Sequence, residues 1–126
     1  MATRNPKWSR DELILTLDFY LRYRPSIPGT GSTQVSELSD FLNRLQLKLG
    51  GETGDKFRNP NGVYMKLMNY RHLDRRFDGV GLSSVSSLDR KLWELYGDDP
   101  STLFDLETSI KSFLESQDIH AKSESV

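Results

Sequence analysis

Basic side chains cluster between positions 56 and 76, where the sequence reads KFRNPNGVYMKLMNYRHLDRR. Six Lys or Arg residues against one acid, Asp74, give this segment a formal charge of +5, although the whole chain carries −1. Lys and Arg bind phosphates, and Asn and Arg side chains pair bidentately with the edges of adenine and guanine. The composition of this segment therefore indicates binding to DNA.

A helix must position these side chains. Asn59 is a favourable N-cap and Pro60 suits the first helical turn, so we predict a helix from about Pro60 to about His72. At roughly 100° per residue, one side of this helix is apolar and faces the core. The side chains on that side are Val63, Leu67 and Tyr70.

A solvated helix face typically carries Glu, Lys and Gln, whereas the opposite side of the predicted helix combines a glycine, two amides and a cation. We predict that a DNA groove meets Asn61, Met65, Lys66 and Asn69, and that Gly62 permits a close approach of the backbone. Phosphates would be held by the helix N-terminus at Asn59 and by Arg58, Arg71, Arg75 and Arg76.

Purely structural roles remain as alternatives for the same residues. In this interpretation Asn59 serves only as a cap, and Gly62 only permits tight helix packing. The basic cluster would balance residues 89–126, in which four basic and nine acidic residues give a formal charge of −5.

The composition excludes several other classes of protein. The 126 residues suffice for one domain, and 36% hydrophobic with 28% charged residues is typical of a soluble globular protein. No apolar run approaches the length of a membrane span, and the absence of cysteine fits a reducing compartment, so we expect a cytoplasmic protein. The two histidines lack partners at metal-ligand spacing, and no nucleotide-binding or nucleophile motif is present, so we expect no metal, no cofactor and no enzymatic activity.

Elsewhere the chain is also predicted to be helical. Residues 9–12 read as a capping box for a helix that ends near Tyr23, and a second helix should span about Thr33 to Leu49. A fourth helix should begin at Ser86 or Ser87, and a fifth at Pro100. Inward-facing residues of these last two helices are predicted to be Leu88, Leu92, Leu95, Tyr96, Leu103, Leu106, Ile110, Phe113 and Leu114.

We therefore predict a compact, single-domain, all-α fold of about five helices joined by loops. The domain should span residues 8–117. A flexible N-terminus, 1–7, would precede it and a flexible C-terminal tail, 118–126, would follow.

Two stretches of the chain resemble one protein family. They are WSRDELIL, residues 8–15, and FRNPNGVYMKLMNY, residues 57–70. Both are similar to the N-terminal domain of McrA-like HNH restriction endonucleases of bacteria, and the resemblance covers most of residues 8–115. It implies a domain that reads double-stranded DNA, commonly with 5-methylcytosine or 5-hydroxymethylcytosine, beside an HNH nuclease domain in the full-length protein. The HNH part is absent from this chain, so nuclease activity is not carried over.

A methyl group on cytosine would be sensed in one of two ways. Met65 would contact it in the groove, or a pocket would receive the base if it is flipped out of the stack, with Trp8, Tyr64 and Tyr70 as its aromatic residues. Recognition of a phosphorothioate or of an unmodified site is an alternative. So is a protein-interaction or dimerisation module of the nuclease, with a homodimer left open.

Overall fold

Five α-helices joined by short loops share one hydrophobic core. The computed structural model describes residues 5–77 and 80–124, with side chains up to residue 116. Within this part of the chain there is no strand, so the prediction of an all-α single domain is confirmed. The elements are α1 (Arg10–Tyr23), α2 (Thr33–Lys48), α3 (Pro60–Leu73), a 3₁₀ turn (Arg75–Phe77), α4 (Ser87–Tyr96) and α5 (Pro100–Glu124).

Side-chain caps help to determine where these helices begin. The Ser9 Oγ accepts a hydrogen bond from the Glu12 N–H, and the Glu12 carboxylate accepts one from the Ser9 N–H, which completes the predicted capping box. Ser86 and Asp89 form a second capping box at α4. Asn59 caps α3, as predicted. These local signals explain why the predicted and observed helix starts agree.

Helix α1 is the centre of the fold. Its sequence LILTLDFYL is apolar on nearly every side, and every residue from Glu12 to Tyr20 is buried. It packs against α3, α4 and α5, while α2 packs against α3. A helix buried all round holds its neighbours in fixed positions, so α1 determines where α3 presents its surface.

Two of the predicted core residues are exposed instead. Leu95 of α4 and Phe113 of α5 are 56% and 45% exposed. In α4 the inward side passes through Trp93, whose ring lies 5.9 Å from that of Tyr20 and 6.3 Å from that of Tyr70. The large indole of Trp93 therefore occupies the inward side of α4, where the helical periodicity predicted Leu95.

Parts of the predicted flexible ends lie within the described part of the chain. Residues 1–4, 78–79 and 125–126 lie outside the described part of the chain. In the predicted flexible N-terminus, the Asn5 side chain donates a hydrogen bond to the Lys56 carbonyl, at 3.1 Å. Helix α5 continues past the predicted boundary at 117 to Glu124. In the described chain, no helix has the length and apolar character needed to span a membrane.

Candidate nucleic-acid interface

The N-terminus of α3 is built as the sequence predicts. The Asn59 Oδ1 accepts a hydrogen bond from the Gly62 N–H at 2.8 Å, and Pro60 occupies the first turn. A Cβ atom at Gly62 would lie 3.2 Å from that Oδ1, which is a tight contact. The glycine at position 62 is therefore also explained by the fold, because it leaves room for the Asn59 cap, in addition to the predicted approach of DNA.

Arg58, predicted to hold a phosphate, lies in the interior. It is 4% exposed, and its guanidinium donates to both carboxylate oxygens of Glu12, at 2.6 and 3.0 Å. It also donates to the Pro6 carbonyl at 2.8 Å. The rings of Trp8 and Phe57 both have centroids 4.4 Å from its Cζ atom. With its hydrogen bonds and both ring contacts inside the protein, Arg58 ties α1 to the loop before α3 and does not face solvent.

The backbone at Arg58 supports the same role. Its φ of 43° lies in the left-handed region, which is uncommon for a residue other than glycine. Its carbonyl accepts a hydrogen bond from the Ser39 hydroxyl of α2 at 2.6 Å, and the Asn43 side chain donates to the neighbouring Phe57 carbonyl at 3.0 Å. Helix α2 thus holds this turn in place.

Lys66, predicted to face a groove, is paired with α4. Its Nζ atom lies 2.9 Å from the Oδ2 atom of Asp89, and its side chain is 11% exposed. Asp89 is fully buried, and its Oδ2 also accepts the Ser86 N–H of the capping box. Because burying an unpaired carboxylate is costly, Lys66 compensates the charge of Asp89 and links α3 to the start of α4.

Asn69, also predicted to face a groove, is buried under the loop that precedes α4. Its Nδ2 atom donates to the Leu82 carbonyl at 3.0 Å, and the Leu82 N–H donates to the Met68 carbonyl at the same distance. The adjacent Gly81 has a φ of 95°, and a Cβ there would lie 2.4 Å from the Met68 carbonyl oxygen. The loop therefore crosses α3 at backbone contact and covers the amide of Asn69.

Arg71 is likewise buried, at the C-terminal end of α3. Its guanidinium lies 3.6 Å from the centroid of the Phe77 ring and donates to the Arg24 carbonyl at 2.8 Å. Its Nε atom has no hydrogen-bond partner in the described structure. Arg71 is thus largely occupied in joining α3 to the end of α1.

Asp74 joins the same two helices. Its carboxylate accepts hydrogen bonds from the Tyr20 hydroxyl and from Arg24 Nε, both at 2.7 Å. Burial alone would raise the pKa of this carboxyl, but the hydrogen bonds from Arg24, from Tyr20 and from the Arg76 N–H hold it below its ordinary value. Asp74 is therefore ionised at neutral pH.

The three aromatic residues predicted for a flipped-base pocket are not equally accessible. Tyr70 is fully buried and its hydroxyl donates to the Leu13 carbonyl at 3.2 Å. Burial, and then the nearby charge of Asp89, raise the pKa of that hydroxyl. Trp8 is partly buried with the Arg58 guanidinium near its ring, and Tyr64 is half-buried. In this arrangement Tyr70 cannot stack on a base.

We call five exposed residues the α3 strip: the predicted contact residues Asn61, Met65, Arg75 and Arg76, together with Lys56. Asn61 and Met65 stand one helical turn apart, and Met65 is 50% exposed. Lys56 precedes them, and Arg75 and Arg76 follow at the other end; all three are exposed. The single acid between positions 56 and 76, Asp74, is 1% exposed, so the exposed charges of this segment are all positive.

The acids that pair with the motif were not assigned this role from the sequence. Glu12 was predicted as a helix cap, which is correct, but its carboxylate also binds Arg58. Asp89 and Asp74 lie 23 and 50 residues from their cationic partners Lys66 and Arg24. No spacing rule links such distant positions, so the sequence carries no simple signal for these pairs.

Comparison with known proteins adds no family to this description. The chain matches no protein-family model, no curated protein and no solved structure. No group of three His, Cys, Asp or Glu residues in the described part of the chain is placed to hold a metal ion. Function must therefore be inferred from the site itself.

Proposed function

We propose that this chain is a double-stranded DNA-binding domain that contacts bases through Asn61 and Met65 and phosphates through the basic residues at the two ends of the α3 strip. The observation that supports it best is the character of that strip, an exposed amide and an exposed thioether between exposed cations, with no exposed acid from 56 to 76. This surface suits a polyanion that carries polar and methyl groups between its phosphates.

The dimensions of α3 fit this proposal. Its 14 residues span roughly 21 Å at 1.5 Å per residue, and Lys56 lies before its start while Arg75 and Arg76 lie after its end. The major groove is about 12 Å wide and admits an α-helix. A helix lying in the groove would therefore bring Asn61 and Met65, in its N-terminal half, to the bases, and the cations that flank the helix to the phosphates.

The chemistry of the strip favours a modified cytosine as the base that is read. The thioether of Met65 is apolar and can contact a methyl group at C5 of cytosine in the major groove. The amide of Asn61, one turn away, offers a donor and an acceptor to a hydroxymethyl group or to a neighbouring adenine. The burial of Tyr70 favours this groove contact over a flipped base.

The buried polar residues serve the same function indirectly. Arg58 fixes the turn before α3, Lys66 fixes its middle and Arg71 fixes its end, so the strip is presented on a rigid helix. A rigid element positions base contacts more accurately than a loop does. The predicted interface is thus smaller but still present. Four of its residues are not available at the surface: Arg58, Lys66, Asn69 and Arg71.

The remaining parts of the proposal rest on the resemblance to McrA-like restriction endonucleases. We infer that the chain acts as the reader of a bacterial, cytoplasmic restriction system and that an HNH nuclease domain supplies the cleavage. In this arrangement the chain itself catalyses no reaction.

Binding to matched DNA duplexes tests the proposal. The purified chain would be titrated with one duplex in three forms, carrying cytosine, 5-methylcytosine or 5-hydroxymethylcytosine, at a low and at a physiological salt concentration. We expect binding that weakens steeply with salt, because phosphate contacts release counterions, and tighter binding to at least one modified form. Equal, salt-sensitive binding to all three would overturn the modified-cytosine assignment, and no binding to any duplex would overturn the DNA proposal and favour a protein-interaction module.

A further inference from the structure

A groove lies between α1, α2 and α5, away from the residues of the α3 strip. Its volume is about 210 Å³, and aromatic walls are provided by Phe19 and Tyr23 of α1 and by Phe41 of α2. Pockets for drug-sized ligands are typically larger, roughly 300–1,000 Å³. The groove therefore has room for one or two amino-acid side chains rather than for a large cofactor.

The groove is lined by more acidic than basic residues. Three acids line it, Asp18, Glu37 and Glu107, against two bases, Arg22 and Lys111. The formal charge of the groove is thus −1, and one added cation would neutralise it.

The same charged residues are also unequal in burial. Asp18 and Glu107 are 8% and 5% exposed, whereas the side chains of Arg22 and Lys111 are 47% and 43% exposed. Arg22 lies 2.8 Å from Asp18 and 3.8 Å from Glu107, and the Glu107 carboxylate also pairs with Lys111. The two acids are buried whereas both of their cations are half-exposed, so a competing cation can replace them.

The pKa of Asp18 is determined mainly by its burial. Burial raises it, Arg22 lowers it, and the charge of Glu107 raises it again, with a net rise above the ordinary value. A further positive charge near Asp18 would favour its ionised form.

The aromatic surface already attracts cations and extends beyond the groove. The Phe41 ring has Arg44 and Lys111 within 5.7 Å and 5.6 Å of its centroid. A second, shallow cavity shares Asp18 and Arg22 with the groove and is bordered by Phe104, which is 55% exposed. An exposed aromatic residue next to a groove is common at protein-docking surfaces.

We propose that this groove binds a peptide segment of a partner protein in which a Lys or Arg side chain stands beside an apolar residue. The cation enters between Asp18 and Glu107 and the apolar side chain packs on Phe19, Tyr23 and Phe41. Charge complementarity selects this occupant, because an acidic segment would add charge of the same sign to a site that already has an excess of acids. The proposal goes beyond DNA binding and does not depend on it.

Selection from a random heptapeptide library displayed on phage tests the proposal, with the whole chain as bait and an unrelated helical protein as the control bait. We expect the enriched peptides to combine Lys or Arg with Leu, Ile or Phe. The best of them, made synthetically, would then be measured against variants of the chain whose folding is checked by circular dichroism.

Three variants distinguish the groove from other surfaces. Glu107→Gln should weaken binding about tenfold, as expected for loss of a charged hydrogen-bond acceptor. Lys111→Gln should tighten it, because it removes a cation that competes for Glu107, and this second variant tests the groove even if Glu107→Gln does not fold. Glu115→Gln, an exposed acid of α5 outside the groove lining, should leave binding within twofold.

Several results would overturn the proposal. They are the absence of enrichment over the control bait, enrichment of peptides without a basic residue, and an affinity that neither Glu107→Gln nor Lys111→Gln changes.

Discussion

Beneath α3, buried charges are matched in pairs: Arg58 with Glu12, Lys66 with Asp89 and Arg24 with Asp74. In the groove between α1, α2 and α5, Asp18 and Glu107 share Arg22, Glu107 also pairs with Lys111, and Glu37 adds a third acid. The first arrangement fixes helices relative to one another. The second leaves an excess of negative charge that a ligand can neutralise, so the two regions differ in what their charged residues are available to do.

This difference shows that a long motif rich in polar residues can be explained by its role in folding. In the stretch from Phe57 to Tyr70, most residues whose type suits DNA binding have a partner within the protein. Phe57, Val63, Leu67 and Tyr70 are core residues, Asn59 is a cap, and Asn69 holds a loop. Most of the motif therefore stabilises the fold, and the DNA contacts that we propose are limited to Asn61, Met65 and the flanking cations.

The largest expected effect comes from breaking the most buried pair. Arg58→Ala should destabilise the protein by about 3–5 kcal/mol, because the Glu12 carboxylate stays buried without its partner. Urea denaturation monitored by circular dichroism measures this change. As a control, Arg75→Ala removes an exposed arginine and should change the unfolding free energy by less than about 0.5 kcal/mol. If both variants had wild-type stability, the proposed structural role of Arg58 would be wrong.

A somewhat smaller effect is expected where the loop crosses α3. Gly81→Ala should cost at least about 2 kcal/mol, because the residue has a positive φ and its Cβ would collide with the Met68 carbonyl. Gly29→Ala is the matched control, since no described atom lies within 4 Å of its added Cβ and its φ is not positive. Equal unfolding midpoints for the two variants would contradict the observed contact between the loop and α3.

Two buried aspartates should respond to acid in opposite directions. The pKa of Asp74 is lowered from 3.8, so its stabilising contribution is complete above that pH and is lost as pH falls through the lowered value. The pKa of Asp18 is raised from 3.8, so its ionisation opposes folding at neutral pH and this cost disappears as pH falls.

Asparagine variants test that contrast. At pH 7, Asp74→Asn should lose about 2 kcal/mol of stability, the contribution of a charged hydrogen-bonding group, whereas Asp18→Asn should be closer to the wild-type protein. Unfolding free energies at several pH values between 3 and 7, measured for both variants, provide the comparison. If Asp18→Asn lost more stability than Asp74→Asn, the contrast drawn between the two regions would be wrong.

A smaller effect, on binding and not on folding, is expected at the centre of the α3 strip. Met65→Ala should reduce the preference for duplexes with 5-methylcytosine by about 1 kcal/mol, roughly fivefold, because the methyl contact is lost. Its unfolding free energy should stay nearly unchanged, since half of the side chain is exposed. Competition between methylated and unmodified duplexes measures the preference, and an unchanged ratio would remove Met65 from the contact surface.

The sequence predicted the helices well but did not predict which of their polar side chains are buried, and the reason is physical. Caps such as Ser9, Asn59 and Ser86 act within three or four residues, so local patterns reveal them. The partners that bury Arg58, Asn69 and Arg71 lie 46, 13 and 47 residues away, and only the packing of α1, α3 and the loop brings them together.

The groove contains one signal that the sequence analysis did not use. Asp18 stands inside the apolar run LILTLDFYL, and a charged residue in a helix buried all round must find a partner or line a cavity. Its partner Arg22 lies on the same helix, but Glu107, which Arg22 also contacts, lies on α5, so the groove itself becomes visible only in the fold.

Salt dependence of DNA binding tests most directly the central claim, that exposed cations at the end of α3 hold phosphates whereas the buried cations hold the fold. The dissociation constant would be measured from low to physiological salt for the wild type, for Arg75→Ala/Arg76→Ala and for Arg10→Ala, which removes an exposed cation outside the strip. We predict that the double variant lowers the slope of log affinity against log salt by about 1.8, or roughly 0.9 per lost phosphate contact. Arg10→Ala should leave it unchanged. An unaltered slope in the double variant would contradict the claim.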